Sequence, residues 1–462
     1  MRPTEDEIRK VYDQGPDAVV ALFNKLFDLA ETLDERIKSL ENAAGTTSKN
    51  SSKPPSQDPF RNTNKKKSKR KQRRATRHHS GGRKLLPLMA GDKIIDLRAP
   101  SCGCCGLPLS PHSQHVGEAG RYQQVEIPEV KRELTEWRRH ALRCGGCGGV
   151  TKAAVPAEAM ERFGPRLESA VTALSGDKRQ TTRQLKQLMS DFYGVEISTG
   201  QINNIVQRVG ALCQPAADAL HSQILEEEAI YGDETSWRMT GIDGVNRRAW
   251  LWGVFSRRAA YYEIKPTRGS IVAEFLIPVG YEGVVHTDCY AGYNHIAASR
   301  RQVCWAHLKR HFQKHAERDG PTGEWGTLGL AICERVFKLS KHSTEKQREL
   351  LIADTDALIE AGLTHDGTRT MATTLTKHRG SLWHCLYRED VDATNNHAER
   401  MIRPAVIKRK LSLGSGSAAG AKATAALLSV VTTARMRGLS PYAFIESTVR
   451  AARAGKLAPQ MA

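Results

Sequence analysis

The 462-residue chain has no apolar run approaching the ~18 residues that a membrane-spanning helix needs. Its start, with Glu5, Asp6 and Glu7 ahead of the first apolar positions, lacks the form of a secretory signal. No membrane partner is expected, and a cytoplasmic, nucleoid-associated protein is. Acid is missing altogether from residues 61–84, which hold twelve Lys and Arg; of the net +19, that one segment leaves only +7 for the rest. So concentrated an excess points to a polyanionic partner. A disulfide framework is missing too. Five of the ten cysteines fall within 102–147, while Cys213, Cys289, Cys304, Cys333 and Cys385 stand singly. That distribution suits a reducing compartment with a metal site.

What is present divides into more than one unit, since a chain of this length exceeds one compact core and suggests about three domains at ~150 residues each. Over residues 1–42, Val19, Leu22, Leu26, Leu29, Leu33, Ile37 and Leu40 recur at steps of three and four, giving one apolar seam on a helix. The seam serves either a short coiled coil, and hence a homo-oligomer, or packing on the protein itself. Residues 43–84 are rich in Ser, Thr, Asn, Pro and Lys and read as a disordered basic linker. Its basic half either tracks phosphates in a salt-sensitive way or merely solubilises the chain.

A zinc-binding module is expected over 85–155. Cys102/Cys105 and Cys144/Cys147 are two Cys-x-x-Cys knuckles 38 residues apart, with glycines that let each turn fold back toward a tetrahedral ion. Four thiolates leave no open position, so this zinc is structural. Cys104 is a spare thiol that could replace a neighbour. Over 156–224, Leu185, Leu188, Met189 and Phe192 form one apolar stripe, Gly194 ends it, and Ser198 caps a second helix through Ile202, Ile205, Val206 and Val209. The pair resembles a helix-turn-helix, which would offer Gln201, Asn203, Asn204, Gln207 and Arg208 to base edges or phosphates. Two amphipathic helices around a glycine are equally at home in any helical domain.

Three acids then stand out. Asp233 lies in Tyr231-Gly232-Asp233-Glu234-Thr235, Asp288 in His286-Thr287-Asp288-Cys289-Tyr290, and Glu399 in Asn395-Asn396-His397-Ala398-Glu399-Arg400. The first two are expected at the ends of neighbouring strands. The third is expected on a helix entered through Asn395 or Asn396, with Pro404 near its far end. Such a trio can hold two magnesium or manganese ions, which together activate an attacking oxygen and steady a leaving one at phosphorus. Glu234 is left out because adjacent side chains on a strand point to opposite faces. His307 is placed near the acids or in a structural role. Arg400, Arg403, Lys408, Arg409 and Lys410 are candidates for a phosphate clamp beside Glu399.

These motifs, with Cys304-Trp305-Ala306-His307-Leu308-Lys309-Arg310 and the run from Asn395 to Pro404, resemble the insertion-sequence-66 transposase family over nearly the whole chain. The resemblance implies a multidomain α/β protein. Its catalytic domain, 225–435, would have a ribonuclease-H-like mixed sheet with helices and a helical insertion at about 305–390. A coiled-coil helix, zinc-binding module and helix-turn-helix would precede it, and a C-terminal helix and tail, 436–462, would follow. It also implies Asp233, Asp288 and Glu399 as metal-binding acids, DNA as partner, and companion proteins encoded by the same element. The function expected is a DNA transposase that binds terminal inverted repeats and performs metal-dependent strand cleavage and transfer. The rivals are a non-catalytic DNA-binding regulator and a nuclease without joining activity.

Overall fold

In the computed structural model the described residues are 10–25, 27, 30, 85–110, 112–118, 120–240, 246–339, 342–412 and 414–461. Most of the seam from Val19 to Leu40, and the whole basic linker, lie outside them. The chain divides into two units, 60–132 and the remainder. Within the described part of the first unit, Cys102 alone is withdrawn from solvent and every other residue is exposed. Its apolar side chains, such as Leu97 and Tyr122, are left in water. A stretch with so little core needs another source of stability.

In the larger unit there is helix at residues 16–25, and past residue 132 a short hairpin, β1 (Ala141–Arg143) and β2 (Val150–Lys152). A one-turn helix (Ala157–Met160) and then four longer ones follow: α1 (Pro165–Gly176), α2 (Thr182–Tyr193), α3 (Thr199–Leu212) and α4 (Gln214–Leu225). Then come β3 (Ala229–Thr240), β4 (Asn246–Phe255), β5 (Ala260–Lys265), α5 (Ser270–Leu276), β6 (Val284–Thr287) and β7 (Arg301–Val303). The sheet order is β5-β4-β3-β6-β7. β3 pairs antiparallel with β4, and β4 with β5, whereas β3–β6 and β6–β7 are parallel. Between the sheet and the third acid run α6 (Trp305–Ala316), α7 (Gly320–Leu339), α8 (Glu345–Leu363) and α9 (Asp366–His378). The unit ends with α10 (Asn396–Ser412), α11 (Ala418–Met436) and α12 (Pro441–Arg453).

Alternation along the strands assigns the two faces of the sheet. Tyr231, Trp237, Leu251, Phe255 and Tyr262 pack with Ala398, Ile402 and Ala405 of α10 and with α11. Ile230, Trp252, Val254 and Tyr261 pack the other way, in one core with residues of α1 to α5 and α12. The helices at 165–225 therefore share a core with the sheet. Gly210 of α3 makes this contact intimate: a Cβ there would stand 2.7 Å from that of Ala423 on α11.

Two expectations need correction. Asp233 is not at a strand end but inside β3, opposite Gly253, because the long hairpin with β4 extends well past the short parallel pairing to β6. Nor does Pro404 stop its helix: α10 runs on to Ser412. Burial of Ala398, Ile402 and Ala405 against the sheet offsets the hydrogen bond that proline cannot make. Among the described residues no helix is long and apolar enough to cross a membrane.

Candidate active site

β3 and β6 pair in parallel with Tyr231 opposite His286, so Asp233 and Asp288 each come two residues beyond the same register pair. Asp233 shares strand parity with Tyr231 and Trp237, the residues that face α10. Glu399 is in the first turn of α10. All three acids are half-buried. Burial, followed by the charges of Glu234, Asp288 and Glu399, pushes the Asp233 carboxyl well above the ordinary carboxylate range. Among the described residues no basic side chain pairs with Asp233; its Oδ1 accepts from the N–H of Glu234 at 2.9 Å. Asp288 Oδ1 accepts from the N–H of Tyr290 at 2.9 Å. Among the described residues no three His, Cys, Asp or Glu side chains stand close enough to hold one ion jointly. The donor set nonetheless suits a hard cation: oxygens only, mutually repelling, with one carboxyl lacking a positive neighbour.

His307 Nε2 stands 3.5 Å from Glu399 Oε1. Arg310, one turn further along α6, donates from Nη2 to the same oxygen at 3.0 Å. Burial and then Arg310 lower the His307 pKa, while Asp288 and Glu399 act the other way. Glu234 points to the opposite face, held by Arg268 Nη2 (2.6 Å) and by the Tyr293 hydroxyl (2.7 Å). Sequence reasoning missed two arginines as site residues. Arg310 was visible only as part of a motif. Arg301, fully buried, donates to Thr287 Oγ1 (2.8 Å) and to the carbonyls of Asp288 (2.7 Å) and Tyr290 (3.2 Å), which fixes the loop carrying the second acid.

The proposed DNA-contacting residues are less uniform. Arg400, Arg403 and Lys410 are exposed on α10. Arg409 folds back onto β3, donating to Ser236 Oγ (2.7 Å) and Thr235 Oγ1 (3.2 Å). Lys408 donates to the carbonyl of Ser175 at 3.0 Å, and burial pushes its pKa down to about 8. On α3, Asn204 is exposed, Gln201 Oε1 accepts from the N–H of Ser198 (3.0 Å) in a capping box, and Arg208 pairs with buried Glu168.

The two cysteine knuckles, each taken in its own unit, are conformational twins. Cys102 N–H donates to the carbonyl of Leu107 (2.8 Å) and Gly106 N–H to that of Cys102 (2.9 Å). Cys144 N–H donates to Gly149 (2.8 Å) and Gly148 N–H to Cys144 (2.9 Å). Gly106 and Gly148 close these turns at φ of 72° and 70°, in the region that favours glycine. Backbone N–H groups of Cys105 and Cys104 lower the Cys102 thiol below its ordinary range, and those of Cys147 and Gly146 do the same for Cys144. Cys104 thus matches Gly146 in the middle of its turn.

The "Transposase IS66 family" profile matches residues 161–423, and the "Family of unknown function (DUF6444)" profile matches residues 2–85. The first match takes in the four helices, the sheet and all three acids. The chain belongs to the IS66 family of transposases. Two uncharacterized proteins of Sinorhizobium fredii (strain NBRC 101917 / NGR234) are similar to it. One, y4hP, is 25% identical over 401 residues, covering 77% of this chain and 71% of that protein. The other, y4qI, is 25% identical over 398 residues, covering 78% and 71%.

Proposed function

We propose that the chain binds the terminal inverted repeats of its own insertion sequence, cleaves phosphodiester bonds there, and joins the freed 3′ ends to target DNA. The observation that carries this reading is geometric: Asp233 and Asp288 each follow the same β3–β6 register pair by two residues, and Glu399 is in the first turn of the helix packed on that face of the sheet, with His307 and Arg310 beside it. The strand order, with three antiparallel members followed by two parallel ones, is consistent with a ribonuclease-H-like core.

Asp233, Asp288 and Glu399 would hold two magnesium or manganese ions. Bound there, such ions make water or a 3′-hydroxyl a better nucleophile and stabilise the leaving oxygen. The chain's own residues orient this apparatus: Arg310 and His307 restrain Glu399, and Arg301 restrains the Asp288 loop. Arg400 and Arg403 reach the phosphates of the bound strand. The exposed side of α3, with Asn204, reads the repeat. Cys102, Cys105, Cys144 and Cys147 hold a structural zinc, with Cys104 outside the ligand set; the described part of the first unit, exposed but for Cys102, gives that ion a stabilising task. Self-association and companion proteins of the same element complete the assembly.

Coupled cleavage and strand-transfer assays on terminal-repeat DNA test the reading. Wild type should give metal-dependent nicks and joined products, and Asp233→Ala, Asp288→Ala or Glu399→Ala should give neither while keeping most DNA affinity. Nicks without joined products would make the protein a nuclease. DNA binding without any metal-dependent nicking would make it a regulator.

A further inference from the structure

We propose that Asn395 is the positioning residue that keeps the three acids in mutual register, a role that rests on reading Asp233, Asp288 and Glu399 as the metal-binding set. Asn395 is 1% exposed and stands at the entry to α10. Its Nδ2 donates to the carbonyl of Gly232 at 2.8 Å, directly before Asp233. Its own carbonyl accepts from the N–H of Glu399 at 3.2 Å. Its N–H donates to Cys304 Sγ at 3.1 Å. Cys304 N–H in turn donates to the carbonyl of Thr287 at 2.9 Å, directly before Asp288. One buried amide and one buried thiol therefore join the backbone beside every acid of the trio, across β3, β6 and α10.

Packing alone does not account for an asparagine here. Its Oδ1 is buried and has no hydrogen-bond partner among the described residues. An unmatched buried oxygen is costly, and an apolar side chain of similar shape avoids that cost. Leucine could fill the same space but could not hold the Gly232 carbonyl. Carboxylates that share ions must be held to within tenths of an ångström, and residues that orient such ligands are typically worth about 10–100-fold in metal affinity or activity.

The test uses full-length protein and reads three quantities: Mn2+ binding by electron paramagnetic resonance, thermal unfolding, and nicking of repeat DNA. Asn395→Leu exchanges the unmatched Oδ1 for an unmatched Gly232 carbonyl, so it should unfold near the wild-type temperature and bind DNA as wild type, yet lose about 10–100-fold in Mn2+ affinity and nicking rate. Asn395→Asp keeps the volume but turns the donor facing Gly232 into an acceptor, and should lose as much; it stands in if the leucine variant does not fold. Wild-type Mn2+ affinity and nicking in both variants, with Asp233→Ala abolishing both, would overturn the role of Asn395 and leave the triad standing. So would a loss that merely follows unfolding in both. Wild-type Mn2+ binding and nicking by Asp233→Ala would instead remove the triad, and the role of Asn395 with it.

Discussion

A histidine whose two nitrogens are both engaged has its charge settled by its partners. The N–H of Asp392 can only donate, so His286 Nε2 accepts from it (2.9 Å), and Nδ1 donates to the carbonyl of Ile230 (2.9 Å). The ring stacks on Tyr231 at 4.2 Å. Burial lowers its pKa from 6.5 to about 4. Above pH 6.5 the ring is neutral whether the chain is folded or not. Between 6.5 and about 4 only the unfolded chain gains the proton, so stability falls with pH, by about 3 kcal/mol across the window. His286→Asn should remove one proton from that slope, as urea melts at several pH values would reveal; an unchanged slope would contradict the assignment. Residues of this kind are only partly legible in sequence. Asp233, Asp288, Glu399 and His307 stand in dense motifs; the structure sets His307 beside Glu399, and Asp233 and Asp288 each two residues past one register pair. Arg301 gives no such warning, because one Arg of the pair Arg300-Arg301 reads like a surface charge until the loop that wraps it is seen.

Local elements were legible where their ends carry capping chemistry. Ser198, read as a cap, forms a capping box with Gln201 at the start of α3, and Gly194, read as a stop, closes α2 at φ 59°; the Thr181–Gln184 box that starts α2 is seen only in the structure. Pro404 misled because a proline rule is local, whereas the burial that carries α10 past it comes from a sheet far away in sequence. The docking of α3 was hidden for the same reason: nothing around Gly210 announces Ala423. Gly210→Val should destabilise the protein by about 1–3 kcal/mol through overpacking, measured by urea denaturation. An unchanged midpoint would mean that the α3–α11 contact is looser than the geometry indicates. The twin knuckles give a second prediction. Cys105→Ser should lower the zinc recovered per chain on acid release, and Cys104→Ser should not; the reverse pattern would put Cys104 in the ligand set.

At the scale of the whole chain, twelve of the basic residues are confined to 61–84, ahead in sequence of the acids that would do chemistry. Deleting that segment should flatten the dependence of log DNA affinity on log salt, since each phosphate neutralised contributes a slope of roughly 0.9 on duplex DNA. Equal slopes for deleted and intact protein would make the segment a solubilising arm. The four helices ahead of β3 share the core of the sheet, so DNA recognition by α3 and chemistry by the acids would be mechanically joined. The most direct measurement of the central claim is anomalous diffraction from crystals of the full chain with terminal-repeat DNA and Mn2+. Metal peaks coordinated by oxygens of Asp233, Asp288 and Glu399 are expected. Peaks bound elsewhere, with these three carboxylates still apart, would contradict it.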